Sequence, residues 1–501
     1  SVRLIGGNGG SGGEYATSMV GHGGINATGS HSGDITVTSG NEVTLLDGGR
    51  DLSFKLIGHG GRNADGDHSG SIRVTAQNNI RLVGGTNDYS YAQVGHGGDS
   101  SDGNLTADFL EVISNFGRID VIGGVAGTTG SDGRNGYAQI GLGGNLRTGS
   151  LSAPIIVRAA GPITVQGGGR DQNFAIIGNG GDRSLGTKSG AISVTTTSGD
   201  ISVIAGRQEH TMAQIGHGGF RATGAASGSV FVQTLNGNVI VRSGGGTDDG
   251  VTNGSTEVPP LVTSNDGGSH SYAQIGHGGD EVGVFDRSGA ITVLASGSVS
   301  LEADRDTGHS AHSQIGHGGN RSGGNVTGDI TVTATNGNVS AVAGTTDRRY
   351  VQIGHGGIEA PGDVTGLIEL TAGGNVILTG GSGANNFARL GHGGVSVPGE
   401  ILGNLVANVG GALSMTGGTG TNAFAQLGHG GVFAAGSVSG SSDGLVTGTI
   451  TLTTGGNLSL LAGAGNQAFS LLGHGGLFSR GFYDGAILAT VGGAVTVNGG
   501  G

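Results

Sequence analysis

The amino-acid sequence predicts an all-β protein, a parallel β-helix solenoid of about twelve three-sided coils of about 37 residues each. Three observations carry that expectation. The tetrapeptide Gly-X-Gly-Gly, preceded by an aliphatic residue, occurs twelve times, with X at His22, His59, His96, Leu142, Asn179, His217, His277, His317, His355, His392, His429 and His474. Successive X positions lie 37, 37, 46, 37, 38, 60, 40, 38, 37, 37 and 45 residues apart, so the base period is 37 and the longer steps carry insertions. Between the copies run short segments in which Ile, Val or Leu alternates with Thr, Ser or Arg, the period of two of a strand with one buried face. A unit of that size buries its apolar face only by stacking on its neighbours.

Each repeat divides into three strands. Row a comprises Ile35-Thr36-Val37-Thr38, Ile72-Arg73-Val74-Thr75, Ile192-Ser193-Val194-Thr195, Ile330-Thr331-Val332-Thr333, Ile450-Thr451-Leu452-Thr453 and their equivalents. Row b comprises Val43-Thr44-Leu45, Ile80-Arg81-Leu82, Ile119-Asp120-Val121, Ile163-Thr164-Val165, Val376-Ile377-Leu378 and Val495-Thr496-Val497. β-Branched residues dominate both, as a pleated, half-buried surface prefers. Turns such as Asn236-Gly237-Asn238 and Gly455-Gly456-Asn457 join a to b, because Gly and Asn accept positive φ at little cost. Row c leads into the tetrapeptide. Its residues two and four before X (Val94 and Ala92, for example) share one face, and the Gln between them (Gln93, Gln139, Gln214, Gln274, Gln314, Gln352, Gln426) points the other way. Ile35, Val37, Val43 and Leu45 are therefore expected in the core, with Thr36 and Thr44 facing solvent. Two other arrangements fit the period less well. Two coils of about 18 residues would put a and b in one and c in the other, whereas every repeat has one a, one b and one c, and a propeller blade needs four antiparallel strands.

The repeat runs from end to end, so residues 1–501 form a single domain, with insertions at 123–136, 244–271 and 432–448 expected to protrude from outer connections. Glycine, at 116 residues, lacks the spacing of collagen, and the glycines precede no helix, which excludes a phosphate-binding loop. Cysteine is absent, which excludes disulfides, thiolate metal sites and a Cys nucleophile. A formal charge of −13 argues against nucleic acid and anionic membrane as partners. No apolar run approaches the ~18 residues of a membrane span. The first residue, Ser1, suggests a processed chain or a piece of a longer one.

The strand pairs, as in Gly328-Asp329-Ile330-Thr331-Val332-Thr333-Ala334-Thr335-Asn336-Gly337-Asn338-Val339, resemble the repeats of filamentous-haemagglutinin-type exoproteins over nearly the whole chain. The resemblance implies a right-handed β-helix at a bacterial surface or secreted from it, exported by two-partner secretion or as an autotransporter passenger, and used for adhesion and matrix building. The family's secretion-signal domain is not visible in this sequence.

Stacking would place His22, His59, His96, His217, His277, His317, His355, His392, His429 and His474 in one ladder. Adjacent imidazoles can ligate Zn²⁺ or Cu²⁺ or sense pH. The expected role is structural, each ring filling a Gly-lined corner, bonded to backbone of the next coil and neutral near pH 7. Leu142 and Asn179 take the same place without good ligation. Five residues before X stand Phe54, Tyr91, Tyr137, Phe174, Met212, Tyr272, Tyr350, Phe387, Phe424 and Phe469, expected to close a corner by stacking. An exposed row of this kind would instead hold a sugar or an apolar surface. The drift from Tyr to Phe points to a more buried or associating C-terminal end. Asn63, Asp65, Asp67, Asp99, Asp102 and Asn104 are expected in solvated turns, since neither calcium-repeat nor EF-hand spacing is present.

The acids are scattered and no catalytic set stands out, so the expected function is a structural or adhesive extracellular protein, fibre- or matrix-forming, without enzymatic activity or cofactor. The alternative is a glycan-active β-helix enzyme, lyase- or hydrolase-like, with 244–271 as a lid. The first ordered pattern, Val2-Arg3-Leu4-Ile5, matches the phase of the last, Val495-Thr496-Val497. Expected partners are thus copies of the chain head-to-tail or further coils of a longer chain, with surface glycans or cell receptors at the sides.

Overall fold

The computed structural model describes residues 1–6, 16–46, 51–124, 134–206, 208–244, 270–303, 310–434 and 444–499. Strands b stack into a parallel sheet of 13, and strands a and strands c into parallel sheets of 12 each. Register is kept from rung to rung: Ile72 lies between Ile35 and Leu110, Ile80 between Val43 and Ile119, and Val94 between Ile57 and Ile140. Among the described residues there is no helix. Most of the three insertions expected to protrude lies outside the described residues.

Alternation does what the pattern requires. Ile72, Val74 and Ala76 of row a, Ile80 and Leu82 of row b, and Ala92 and Val94 of row c point into one continuous core that runs from Leu4 to Leu460. Each fully buried Ile or Val contributes about 1.5–3 kcal/mol. Ile35, Val37, Val43 and Leu45 are buried and Thr36 is exposed, but Thr44 is buried on the outer face. It sits in register between Arg3 and Arg81, longer side chains that flank it on both sides. The last rung leaves Ile487, Val495 and Val497 exposed at core positions.

A fourth row was not legible in the sequence. Two-residue strands, beginning His31–Ser32, His68–Ser69, Leu105–Thr106 and Leu151–Ser152, form a further parallel sheet of 12 between the tetrapeptide and row a. We call it row d. Its inward residue varies from Leu105 through Lys188 to Ile401, so no compositional signal marks it.

The corner at Gly-X-Gly-Gly explains its own composition. A Cβ on Gly95 would lie 1.9 Å from the carbonyl oxygen of Gly141, and one on Gly98 would lie 2.1 Å from that of Gly61. Both glycines have φ above +130°, where side chains are strained in any case. Two columns of non-glycine residues also adopt left-handed backbone: seven before X (Leu52 through His270 to Gln467) and four after X (Asn26 through Arg321 to Phe478).

Candidate functional site

Row c is buried on both faces. Outside it lies a second compartment, enclosed by the segment that follows Gly-X-Gly-Gly. The X column, the aromatic column and the third residue after X all meet there or at its edge.

The X histidines share one geometry. The backbone N–H of each donates to Nδ1 of the next, at 3.0 Å from His22 to His59, 2.9 Å from His59 to His96 and 2.8 Å from His277 to His317. Nε2 donates to a carbonyl near the start of row a in the preceding coil, as from His96 to Gly70 at 2.7 Å and from His355 to Gly328 at 2.8 Å. Because Nδ1 accepts, the proton resides on Nε2, and the neutral tautomer is set by the backbone. The rings stack with centroids 4.6–5.0 Å apart. Burial lowers the proton affinity of those from His59 to His474. His96, His217 and His355 fall to about 4, with the Nε2 bond opposing the shift. Ring nitrogens engaged in this way have no lone pair left for a metal. Among the described residues, no group of three or more His, Asp or Glu is placed to hold one.

The two exceptions are informative. Asn179 reproduces both bonds: Oδ1 accepts from the Leu142 N–H at 3.0 Å and Nδ2 donates to the Ala153 carbonyl at 3.1 Å. Leu142 fills the space but offers the His96 N–H no acceptor.

The aromatic column is internal. Phe54, Tyr91, Tyr137 and Phe174 stack at 4.7–5.1 Å, and Tyr350, Phe387, Phe424 and Phe469 at 4.7–4.9 Å. It is not an exposed sugar-binding row. Between the two runs sits a member that the sequence reading missed, His312, stacked on Tyr272 at 5.1 Å and on Tyr350 at 4.9 Å. It is fully buried, neither ring nitrogen has a hydrogen-bond partner among the described residues, and burial lowers it to about 3. The glutamines beside the column are buried too. Gln93 Nε2 reaches the carbonyls of His96, Gly141 and Gly143 at 3.1–3.2 Å, tying one corner to the next.

The third residue after X overturns one expectation. Asp99, expected in a solvated turn, is buried, as are Asp182 and Asp280 in the same column, whereas Asp65, Asp67 and Asp102 are exposed. Burial raises all three buried acids; nearby Arg62 opposes the shift at Asp99, and Asp182 reaches about 7. Asp280 accepts from His270 Nδ1 at 2.7 Å and from Asn320 Nδ2 at 3.0 Å. Burial disfavours charge on His270, but the Asp280 bond outweighs it and raises the imidazole above its usual range. His270 stacks on His210 at 5.4 Å, and His210 lies against Phe220 at 3.7 Å. Outside them runs an alternating ion-pair strip. Arg221 meets Glu281 at 2.8 Å, Glu281 meets Arg321 at 3.1 Å and Arg321 meets Glu359 at 3.0 Å. Aligning the repeats on X and reading the columns at three and four after and seven before would have exposed this cluster.

Buried cations occupy the other compartments. Lys188 Nζ donates to the carbonyls of Ser184, Gly186 and Thr223 at 2.8–2.9 Å, and burial followed by repulsion from Arg147 lowers it to about 7. Arg389 takes the place of a column glutamine, its guanidinium beside the stacked rings of Phe387 and Phe424, 5.6 and 5.4 Å from their centroids.

Comparison of the chain with protein-family models, with curated proteins and with solved structures returns no match.

Proposed function

We propose that this protein is a structural or adhesive rod of the extracellular surface, acting through its length, its regular faces and copies or further coils stacked on its ends. The observation that supports this reading is the even distribution of its chemistry. The same histidine, glutamine and aromatic stacks recur rung after rung, and their polar atoms are turned to backbone rather than to a cleft. Electron microscopy and light scattering of the purified chain test it, alongside binding to immobilised glycans and cell surfaces. Filaments or saturable surface binding is expected. A monodisperse monomer that binds neither overturns it.

A second reading is favoured by one place. His270, oriented by buried Asp280 and bordered by Arg221, Glu281 and Arg321, is a partly exposed imidazole of the kind that serves as a general base. Under this reading the chain cleaves acidic or neutral glycans near that corner. Release of new reducing ends or unsaturated products from a polysaccharide panel, abolished by His270→Ala, is its expected signature.

A further inference from the structure

The polar part of the second compartment contains a break in its hydrogen bonding that a proton would repair. On consecutive rungs the third residue after X is Arg62, Asp99, Asn145 and Asp182. Arg62 Nε lies 3.5 Å from Asp99 Oδ2, and Asn145 Nδ2 donates to Asp99 Oδ1 at 2.8 Å. The amide orientation of Asn145 is thereby fixed, with Oδ1 directed away from Asp99. That oxygen is buried with no hydrogen-bond partner among the described residues, and so are both carboxylate oxygens of Asp182 on the next rung. The two rungs are in register, since the Leu146 N–H donates to the Asp182 carbonyl at 3.0 Å. Three buried acceptors without a donor among the described residues, on adjacent rungs of one column, are costly.

We propose that Asp182 is held as the neutral carboxylic acid and donates its O–H to Asn145 Oδ1, completing the ladder from Arg62 through Asp99 and Asn145 and making this corner a pH-sensitive latch. Charged groups around Asp182 do not offset its burial. Arg183, its chain neighbour, comes no closer than 3.9 Å; Arg221 of the next rung is engaged by Glu281; Asp99, beyond Asn145, acts against ionisation. A calcium ion is the other way to join these oxygens, but it takes 6–8 oxygen ligands and the site presents about three. With its folded-state proton affinity raised to about 7 from 3.8, Asp182 adds stability that is complete below pH 3.8 and is lost as pH rises through 7. Ionisation would set a carboxylate against the Asn145 oxygen and loosen the corner between the Leu142 and His217 rungs from the inside.

The test is infrared difference spectroscopy between pH 6 and pH 9 on the wild-type chain, Asp182→Asn and Asp182→Ala, with thermal unfolding over the same range. The wild type is expected to show the carbonyl stretch of a protonated acid at pH 6 that bleaches towards pH 9 and is missing from Asp182→Asn. Because Asn donates as the neutral acid does, Asp182→Asn is expected to keep the pH 6 midpoint and to flatten the alkaline fall, whereas Asp182→Ala lowers the midpoint throughout. A wild type without that band, Asp182→Asn as damaging as Asp182→Ala at pH 6, or a wild-type midpoint raised by added Ca²⁺ through Asp182 would each overturn the proposal.

Discussion

The rungs from His59 to His317 and those from His355 onward fill the same compartment differently, the first mainly with polar and the second with apolar side chains at the third residue after X. In the first set the third residue after X is Arg62, Asp99, Asn145, Asp182, Phe220, Asp280 and Asn320, and the aromatic column carries Phe54, Tyr91, Tyr137, Phe174, Met212, Tyr272 and His312. In the second it is Ile358, Val395, Val432 and Leu477, against Tyr350, Phe387, Phe424 and Phe469. The backbone is the same in both, with the same glycine contacts and the same imidazole bonds. The corner backbone therefore determines the frame, and the compartment behind it tolerates either chemistry provided that vertical neighbours match. His312 stands near the junction, an aromatic ring with polar atoms that neither side satisfies.

The largest expected effect concerns what the two halves share. The X histidines from His59 to His474 are neutral when folded and hold their protons more weakly than in the unfolded chain, so the unfolded state binds more protons below about pH 6.5. Their contribution is complete above that pH and is lost as pH falls through about 4. A shift to about 4 corresponds to about 3 kcal/mol per buried histidine. Acid should thus dismantle the rod cooperatively, and first along the uninterrupted run from His217 to His474. Hydrogen exchange at pH 4.5 against pH 7 measures this. Equal loss around Asn179, which carries no titrating group, would show that the ladder is not the cause.

Next in size is Gly95→Ala against Gly391→Ala, one in each half. A Cβ meets a carbonyl oxygen at 1.9 Å in both. Each is expected to cost more than about 4 kcal/mol in urea unfolding, with no difference between halves. A tolerated Gly391→Ala would place the frame elsewhere.

Val395→Asp separates the halves. It puts into the apolar set the residue type that the polar set accommodates, but without an Asn or Arg neighbour in the column. A loss of about 3 kcal/mol is expected, as for an unpaired buried acid. A double variant with Ile358→Asn should recover part of it. The smallest effect is a gain. His312→Phe continues the ring stack from Tyr272 to Tyr350 and removes two unsatisfied buried nitrogens, so the unfolding midpoint should rise, by about 1 kcal/mol in stability.

The period and rows a, b and c were legible in the sequence because each depends on local chemistry repeated in register; the X histidines were expected to bond backbone of the next coil, whereas each bonds that of the preceding one. Ile72 and Val74 face inward wherever alternation meets a core, and the glycines beside His96 admit nothing larger. Row d was not legible, because two residues give no periodicity and His31, Lys188 and Ile401 share no property. Nor was the second compartment. Gln93 and Asp99 have surface character, and only the fold of the chain after His96 back over row c buries them. Thr44 failed for a similar reason, since its neighbours in register are about forty residues away in the chain.

Each imidazole also has a consequence for the order of events. His96 bonds the N–H of His59 and the carbonyl of Gly70, the two ends of a loop that belongs to the coil before it. A coil therefore cannot latch its own loop; the latch arrives with its successor. As the chain emerges from its N-terminus, every finished coil waits open for one more repeat, and closure travels one step behind synthesis. A stall in elongation should leave a single unlatched loop at the growing end, with all earlier loops already closed. Leu142 brings no latch to the loop of the His96 coil, and that loop is the point at which such a wave of closure would skip a beat.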